Sequence, residues 1–550
     1  MSCRSLLRGA VPLTVLAGLA GCTSVGPNFA APKPDWHPAT WFGGHQPTPP
    51  RETISEPIEK PIDPQWWTVF HDGELTSLER RVAAANLDVR TASIRLVESR
   101  ASFGVARADL FPNLDANGNY TRQKIAREGA LALFPVPGGP STAASQTSGA
   151  GAGGLPNTPQ AGTLGTGANG LGATTGAAPN LGQIFQPFNL YQYGFDSSWE
   201  LDLWGRVQRN IEGARASLQA AAEAQRDTLL TSLAEMARDY VQLRGVQRQI
   251  EITERNLRIA QQSLDLTRQR AAGGVTTDLD VANAAAQVDT VASQLPTLRA
   301  QEIQIINAIA FLLGQPPRAM QAELSVPHPI PPVPPTVPVG LPSELARRRP
   351  DIRQAEQQLH TATADVGVAV ADFYPRVTLS GSVAMQAIYL HYLGSWYDAG
   401  TYSFGPSVSL PIFEGGRLRR MLELRKEQQK EAAIAYQRTV LNALHEVDNA
   451  LTAYSAEQQR RNRLQRAVME NRRAVTLAQD RYAQGVADFL SVLTAEQNLL
   501  GAEQQLTDST TTVSNDLVQI YKSLGGGWES ELPDRPEQPQ DGGSFLDNLL

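Results

Sequence analysis

Few side chains in this sequence stand at a spacing that chemistry could use. The seven histidines, at positions 37, 45, 71, 328, 360, 391 and 445, are scattered, with no i, i+4 pair that could grip a metal from one helix face. There is no nucleophile elbow and no phosphate-binding loop. Gly165-Thr-Gly167-Ala-Asn-Gly170 matches a dinucleotide-binding glycine pattern, but no strand precedes it and no helix follows, and a Gly-rich tract produces such matches by chance. Catalysis therefore has no visible constellation. One thiol is differently placed. Arg4 and Arg8 precede an apolar run from Ala10 to Ala20, too short to span a membrane, which ends in Leu19-Ala20-Gly21-Cys22.

That ending resembles the bacterial lipobox, in which the cysteine is lipidated and becomes the first mature residue. Residues 1–21 are then signal. Thr23, not Asp, follows, which implies delivery to the outer membrane. Cys3 leaves with the signal, so Cys22 is the sole mature cysteine, and neither a disulfide framework nor a Cys-based metal site is possible. The expected non-protein group is a covalent lipid on Cys22, with no cofactor. The net charge of −7 gives no nucleic-acid footprint, and low aromatic content with abundant Ala, Gln, Arg, Glu and Leu favours long helices. No later segment approaches the roughly 20 apolar residues of a membrane helix. A chain that still crosses a membrane must do so as a closed barrel.

Four stretches fit that requirement. In Leu190–Leu201, Tyr191, Tyr193, Phe195, Ser197, Trp199 and Leu201 alternate with Gln192, Gly194, Asp196, Ser198 and Glu200, which is the period of an extended chain. Leu114 to Thr121, Val377 to Gln386 and Tyr402 to Leu410 alternate likewise. Helices must carry these strands. Residues 74–110 read as one helix ending at Phe111-Pro112. A proline-free stretch runs from Trp204-Gly205-Arg206 to Ala272, about 100 Å of helix if unbroken. Gly273-Gly274 ends it, and a second helix returns from about Thr277 to Leu313, kinked at Pro296.

The pattern then recurs. Asp88 and Pro112 match Asp351 and Pro375 at an offset of 263 positions, whereas Gly274 matches Gly485 and Arg270 matches Arg481 at an offset of 211. The difference is the Gly/Ala/Thr-rich tract 138–182, read as a flexible loop. The implied organisation is a lipidated extended segment wrapped on the surface (22–73), a first repeat (74–313), a Pro-rich connector (314–340), a second repeat (341–524) and a loosely held tail (525–550). Four strands leave two open edges, so several subunits must pool their strands, with Asp115, Asp196 and Glu200 facing a wet lumen.

The lipobox, Trp66-Trp67…Phe70…Asp72, the junctions Asp109–Pro112 and Asp372–Pro375, Pro411-Ile-Phe413-Glu-Gly415-Gly416-Arg417 and Arg481-Tyr482-x-x-Gly485 occur in an order that resembles the TolC-like outer-membrane efflux factors, specifically the NodT-type lipoproteins. The resemblance runs from about Cys22 to Leu524. It implies a mainly α fold with membrane β-structure. Two repeats give four strands per subunit, a twelve-stranded barrel per homotrimer, and a long α-helical periplasmic barrel. It further implies residence in the outer membrane, a periplasmic adaptor (a membrane fusion protein), an inner-membrane RND pump, usually proton-driven, and no enzymatic activity.

The same resemblance nominates sites. At the far turns of the helices Arg270, Gly274, Val275, Arg481, Gly485 and Val486 stand where an adaptor would touch. The glycines equally serve to end a helix, and the others equally read as solvated faces. Asp280 stands where the family narrows the periplasmic aperture, or is a solvated helix charge. Ser491 and Thr494 occupy the matching positions of the second repeat, and Tyr482 an aromatic position used in closure. Alternatives are the exit duct of a type I protein secretion system, which uses the same fold, a periplasmic adaptor lipoprotein, and a lipid-anchored enzyme.

Overall fold

The computed structural model describes residues 24–32, 55–124 and 187–532; Cys22, the tract 138–182 and the chain beyond 532 lie outside the described residues. In chain order, β1 (Glu56–Ile58) and a 3-10 turn (Trp66–Phe70) precede α1 (Gly73–Ala85), α2 (Leu87–Ala108), β2 (Asn113–Gln123), β3 (Phe188–Leu201) and α3 (Arg206–Ala272). Helices α4 (Asp278–Ala292) and α5 (Gln294–Leu312) lead to β4 (Thr336–Pro338). The second round is α6 (Pro350–Ala371), β5 (Arg376–Ala387), β6 (Gly400–Ser409), α7 (Arg417–Ala483) and α8 (Phe489–Ser523). Helices α3 and α7 are each 67 residues long. The chain divides into two compact units: the helices with β1 and β4, and the sheet segments 111–201 and 377–408.

The first helical stretch is two helices, not one. The apolar spacing runs through Leu78, Val82, Val89 and Ala92 without a break, yet the chain turns at Asn86. The Asn86 side chain accepts from the N–H groups of Asp88 and Val89, capping α2, and donates to the carbonyl of Leu312 at 2.9 Å. A cap plus a tertiary bond outweighs the propensity to continue. The break between α4 and α5 falls at Ser293, three residues before Pro296, whose missing N–H leaves the Ala292 carbonyl without its helical donor.

The end of the N-terminal segment, described from Ser55 on, turns inward rather than lying on the surface. Trp66, Trp67 and Phe70 are buried in the main core of the helical unit, with Leu229, Leu233 and Met236 of α3, Ile309 of α5 and Leu517 and Tyr521 of α8. Trp66 stacks on Tyr521 with ring centroids 5.3 Å apart. β1 pairs in parallel with β4, so the Pro-rich connector supplies a strand as well as a link. Residues 525–532 of the tail pack inward: Trp528 is buried, its indole N–H donates to the carbonyls of Arg348 and Gly525, and the guanidinium of Arg226 lies 4.7 Å above its ring. Both segments lack periodicity, but their large apolar surfaces find a core built from residues remote in sequence.

Glu79 of α1 lies fully inside this core, and neither carboxylate oxygen has a hydrogen-bond partner among the described residues. Burial pushes its pKa well above the ordinary range. A carboxyl raised in the folded state contributes stability that is complete below its unfolded pKa and is lost as pH rises through the folded value. Glu79→Gln therefore gains stability over the parent increasingly as the pH is raised. Thermal unfolding across a pH series checks this, and a difference independent of pH would contradict it.

In the sheet unit the strand order is β2-β3-β5-β6. The β2–β3 and β3–β5 pairs are antiparallel, and the register sets Ala116 against Phe195 against Val383, and Asp115 against Asp196 against Ser382. Strand parity is thus kept across the sheet. Hydroxyl contacts of 2.6 Å between Thr378 and Ser407 and 2.8 Å between Ser382 and Ser403 extend the polar face to β6.

Candidate functional site: the helix-end turns and the two-faced sheet

Helices α3 and α7 end in the same turn. Gly274 and Gly485 have φ of +74° and +77°, a region that costs any residue with a Cβ. The Gly274 N–H donates to the carbonyl of Ala271 and the Val275 N–H to that of Arg270, both at 2.9 Å. In the second repeat Gly485 bonds Tyr482 at 2.9 Å and Val486 bonds Arg481 at 3.0 Å. These are paired Schellman closures. They leave Val275 65% and Val486 62% exposed, so neither side chain is needed for folding. Leu279 and Leu490, equivalent in the repeat, are similarly exposed.

The equivalent residues do not all have equivalent work. Arg481 is exposed, whereas Arg270 reaches the other turn. Its guanidinium sits 4.6 Å over the Tyr482 ring and donates to the carbonyls of Tyr482 and Ala483. Arg270 thus clamps the two turns of one chain together, an arrangement its repeat partner does not copy. Tyr482 is buried with Leu264, Ala284, Phe489 and Val492, packing edge-on to Phe489 at 5.7 Å. Within one chain, therefore, Tyr482 is part of the packed turn pair.

Asp280 closes a capping box at the start of α4: its carboxylate accepts from Thr276 Oγ1 at 2.5 Å, Thr277 Oγ1 at 3.0 Å and the Thr277 N–H at 3.2 Å. The Thr276 bond, together with those from Thr277, holds its pKa below the usual carboxylate range. In the second repeat the roles are exchanged. Asp488 stands where Thr277 stands in the first and caps α8, accepting from the Ser491 N–H at 3.1 Å and its hydroxyl at 2.6 Å. Hydrogen bonds from Ser491 lower the Asp488 pKa, while the charge on Asp280 opposes that shift. The acidic group is thus kept at both turns but displaced by three residues. Ser491 and Thr494 do not replace it, since the Thr494 hydroxyl bonds the Leu490 carbonyl of its own helix at 2.8 Å. Asp488 was missed by position matching alone, although an aspartate directly before an apolar helical run is itself a preferred N-cap.

The sheet unit carries a second candidate site of its own. One face bears Tyr120, Tyr193, Phe195, Val383, Tyr402 and Phe404, all exposed. On it the rings of Tyr120 and Tyr191 meet at 5.0 Å. The opposite face bears Asp115 and Asp196 directly across from each other, Asn117 bonded to Asp196, and Asn113 Nδ2 donating to Asp115 at 3.0 Å. An apolar face that is exposed and a polar face that is equally exposed suit a wall between lipid and water. Among the described residues no helix is long and apolar enough to cross a membrane, and no His/Cys/Asp/Glu group could hold a metal ion.

The profile of a family described as outer membrane efflux protein matches residues 165–315 and 341–526, one segment in each repeat. The chain belongs to the outer membrane efflux protein family. Relatives match most of its length. The efflux protein is 28% identical over 534 residues to the antibiotic efflux pump outer membrane protein ArpC of Pseudomonas putida, covering 97% of this chain and 98% of that one. It is 31% identical over 398 residues to nodulation protein T of Rhizobium leguminosarum bv. viciae, covering 72% and 80%. The solved structure of the outer-membrane channel OprN superposes with a TM-score of 0.76 at 32% identity, covering 92% of this chain and all of that one. The fold is TolC-like, mostly helical with membrane β-structure. The efflux protein is a non-enzymatic outer-membrane channel component of a tripartite efflux system. It acts as a homotrimer with a periplasmic adaptor and an inner-membrane RND pump, its helices extending into the periplasm.

Proposed function

We propose that this channel exports small toxic molecules such as drugs from periplasm to exterior, and that its two helix-end turns are the docking points for the adaptor. The observation that carries the export reading is the sheet register, with aromatic side chains on one face and Asp115 and Asp196 on the other, which provides both a lipid wall and a wet passage. The name of the relative ArpC, which refers to antibiotic efflux, supports small molecules over protein secretion. The docking reading rests on Val275 and Val486, exposed at matching Schellman turns together with Gly274, Gly485 and Arg481. Arg270 supports docking indirectly, by holding the turns together. A strain lacking the channel should become drug-susceptible to the same degree as one lacking the pump, with no further loss when both are absent. Unchanged susceptibility with a lost secreted protein would favour a type I secretion duct instead.

Two finer roles belong to this reading. Cys22 carries thioether-linked diacylglycerol and an N-terminal acyl chain; Cys22→Ala should accumulate as unprocessed precursor, and metabolic lipid labelling that persisted in the variant would refute this. Asp280 and Asp488 border the aperture, and Tyr482 packs against Phe489, the residue after Asp488. Asp280→Asn keeps an oxygen acceptor for the cap but removes the charge. Its single-channel conductance should show a reduced preference for cations, and identical selectivity in parent and variant would retire the role.

A further inference from the structure

The connection between β5 and β6 is unlike an ordinary exposed loop. From Ile388 to Ala399 it reads Ile-Tyr-Leu-His-Tyr-Leu-Gly-Ser-Trp-Tyr-Asp-Ala, with four aromatic residues, three large aliphatics, one carboxylate and no lysine or arginine. It is folded, as a 3-10 turn at Leu390–Gly394 and a helical turn at Trp396–Ala399. Ser395 donates its hydroxyl to the Asp398 carboxylate at 2.7 Å, and the Trp396 ring and carbonyl fill the space beside Gly400 that a Cβ would occupy, 2.5 Å away. The ring of His391 lies 4.0 Å from that of Tyr392. Yet the apolar groups point outward. Tyr397 is 97% exposed, and Tyr389, Leu390 and Trp396 are more than half exposed.

One bond says on which side of the sheet this flap lies. Tyr193 is a residue of the aromatic face, in register with Gly118 and Met385. Its hydroxyl donates to the carbonyl of Leu393 at 3.0 Å. A tyrosine hydroxyl stands well out from the face its side chain occupies, so the turn carrying Leu393 is folded against the aromatic side, not across the polar one. The level is also informative. Tyr191 pairs with Ala387, the last residue of β5, while Trp199 pairs with Leu379 toward the other end. The eight residue steps of strand from Tyr191 to Trp199 span about 26 Å along the chain, about 20 Å at a typical barrel tilt, close to the height of the apolar band between two aromatic girdles.

We propose that the 388–399 connection is a membrane-interface anchor, a folded flap on the lipid side of the sheet that seats Tyr389, Tyr392, Trp396 and Tyr397 among the lipid headgroups at the rim of the barrel. The occupant of this surface is the bilayer interface, because the flap continues a face that already meets lipid. Tyrosine and tryptophan suit that layer, having an apolar ring and a polar edge. The flap then fixes the height of each subunit in the membrane and leaves the lumen uncovered by this connection.

The test uses the full-length channel in phosphatidylethanolamine–phosphatidylglycerol vesicles. Emission from Trp396 is taken as the difference between the parent and Trp396→Phe, and is challenged with phospholipids brominated near the headgroup and, separately, with aqueous iodide. The expected result is that the bromine-quenched, iodide-resistant component is lost in Trp396→Phe. Tyr397→Trp, at a position 97% exposed, should add a second component of the same kind, and keeps the test readable should Trp396→Phe fail to insert. Emission at both positions that iodide quenches and brominated lipid does not would overturn the proposal, placing the flap in water or against a soluble partner.

Discussion

Arg244→Ala destabilises the helical unit by about 3–5 kcal/mol, the usual cost of removing one partner from a buried ion pair. The side chain of Arg244 is fully buried and bonds Glu74 at 2.6 Å. It also donates to Gln247 Oε1 at 2.7 Å and the Val326 carbonyl at 2.8 Å, with its guanidinium 4.7 Å over the Tyr240 ring. The Tyr240 hydroxyl in turn donates to Asp72 at 2.8 Å, and Asp72 caps α1. One guanidinium therefore joins the start of α1, the middle of α3 and the connector. Alanine leaves a carboxylate, an amide oxygen and a carbonyl without their donor, and also removes the packing over Tyr240. Arg244→Lys restores a charge but not the planar fork, so it recovers only part of the loss. Thermal unfolding followed by circular dichroism at fixed protein concentration measures the order parent, Lys, Ala. A Lys variant as stable as the parent would show that charge alone, not the fork, matters here.

Aspartate at both Val275 and Val486 abolishes drug export while the channel remains folded, trimeric and in the outer membrane. Both valines are largely exposed, so the substitutions remove no core contact. At a docked turn, however, each carboxylate must lose water without a partner, at about 1–3 kcal/mol per turn. A trimer presents six such turns, and binding through linked contacts multiplies their effects. Val275→Asp alone leaves three turns intact and should give partial susceptibility, with the double variant matching a deletion strain. Normal export by the double variant, at normal membrane levels, would remove the turns from the docking surface.

The long elements could be read from residue order because their signals are local. Nothing between Gly205 and Gly273-Gly274 interrupts α3, and α7 has the same length at the same place in the repeat. Strand alternation was likewise explicit, and the register kept it. What escaped were events set by distant partners. The break at Asn86 is invisible in a periodicity that runs through it, and depends on the Leu312 carbonyl. Trp66 and Trp528 lie in aperiodic, Pro- or Gly-rich surroundings that suggest surface, yet they are buried against Tyr521 and beneath Arg226. Arg270 and Arg481 match in the repeat, but only Arg270 is stacked on a tyrosine of the opposite turn.

By itself the sequence determined the doubled plan, the two faces of each strand and the glycine turns, since each follows from backbone period or from the left-handed conformation. Only the tertiary structure decided which aperiodic segments join the core, which of two matching residues clamps and which stays exposed, and on which side of the sheet the aromatic flap lies. Those outcomes depend on contacts between residues far apart in the chain, and no local pattern encodes them.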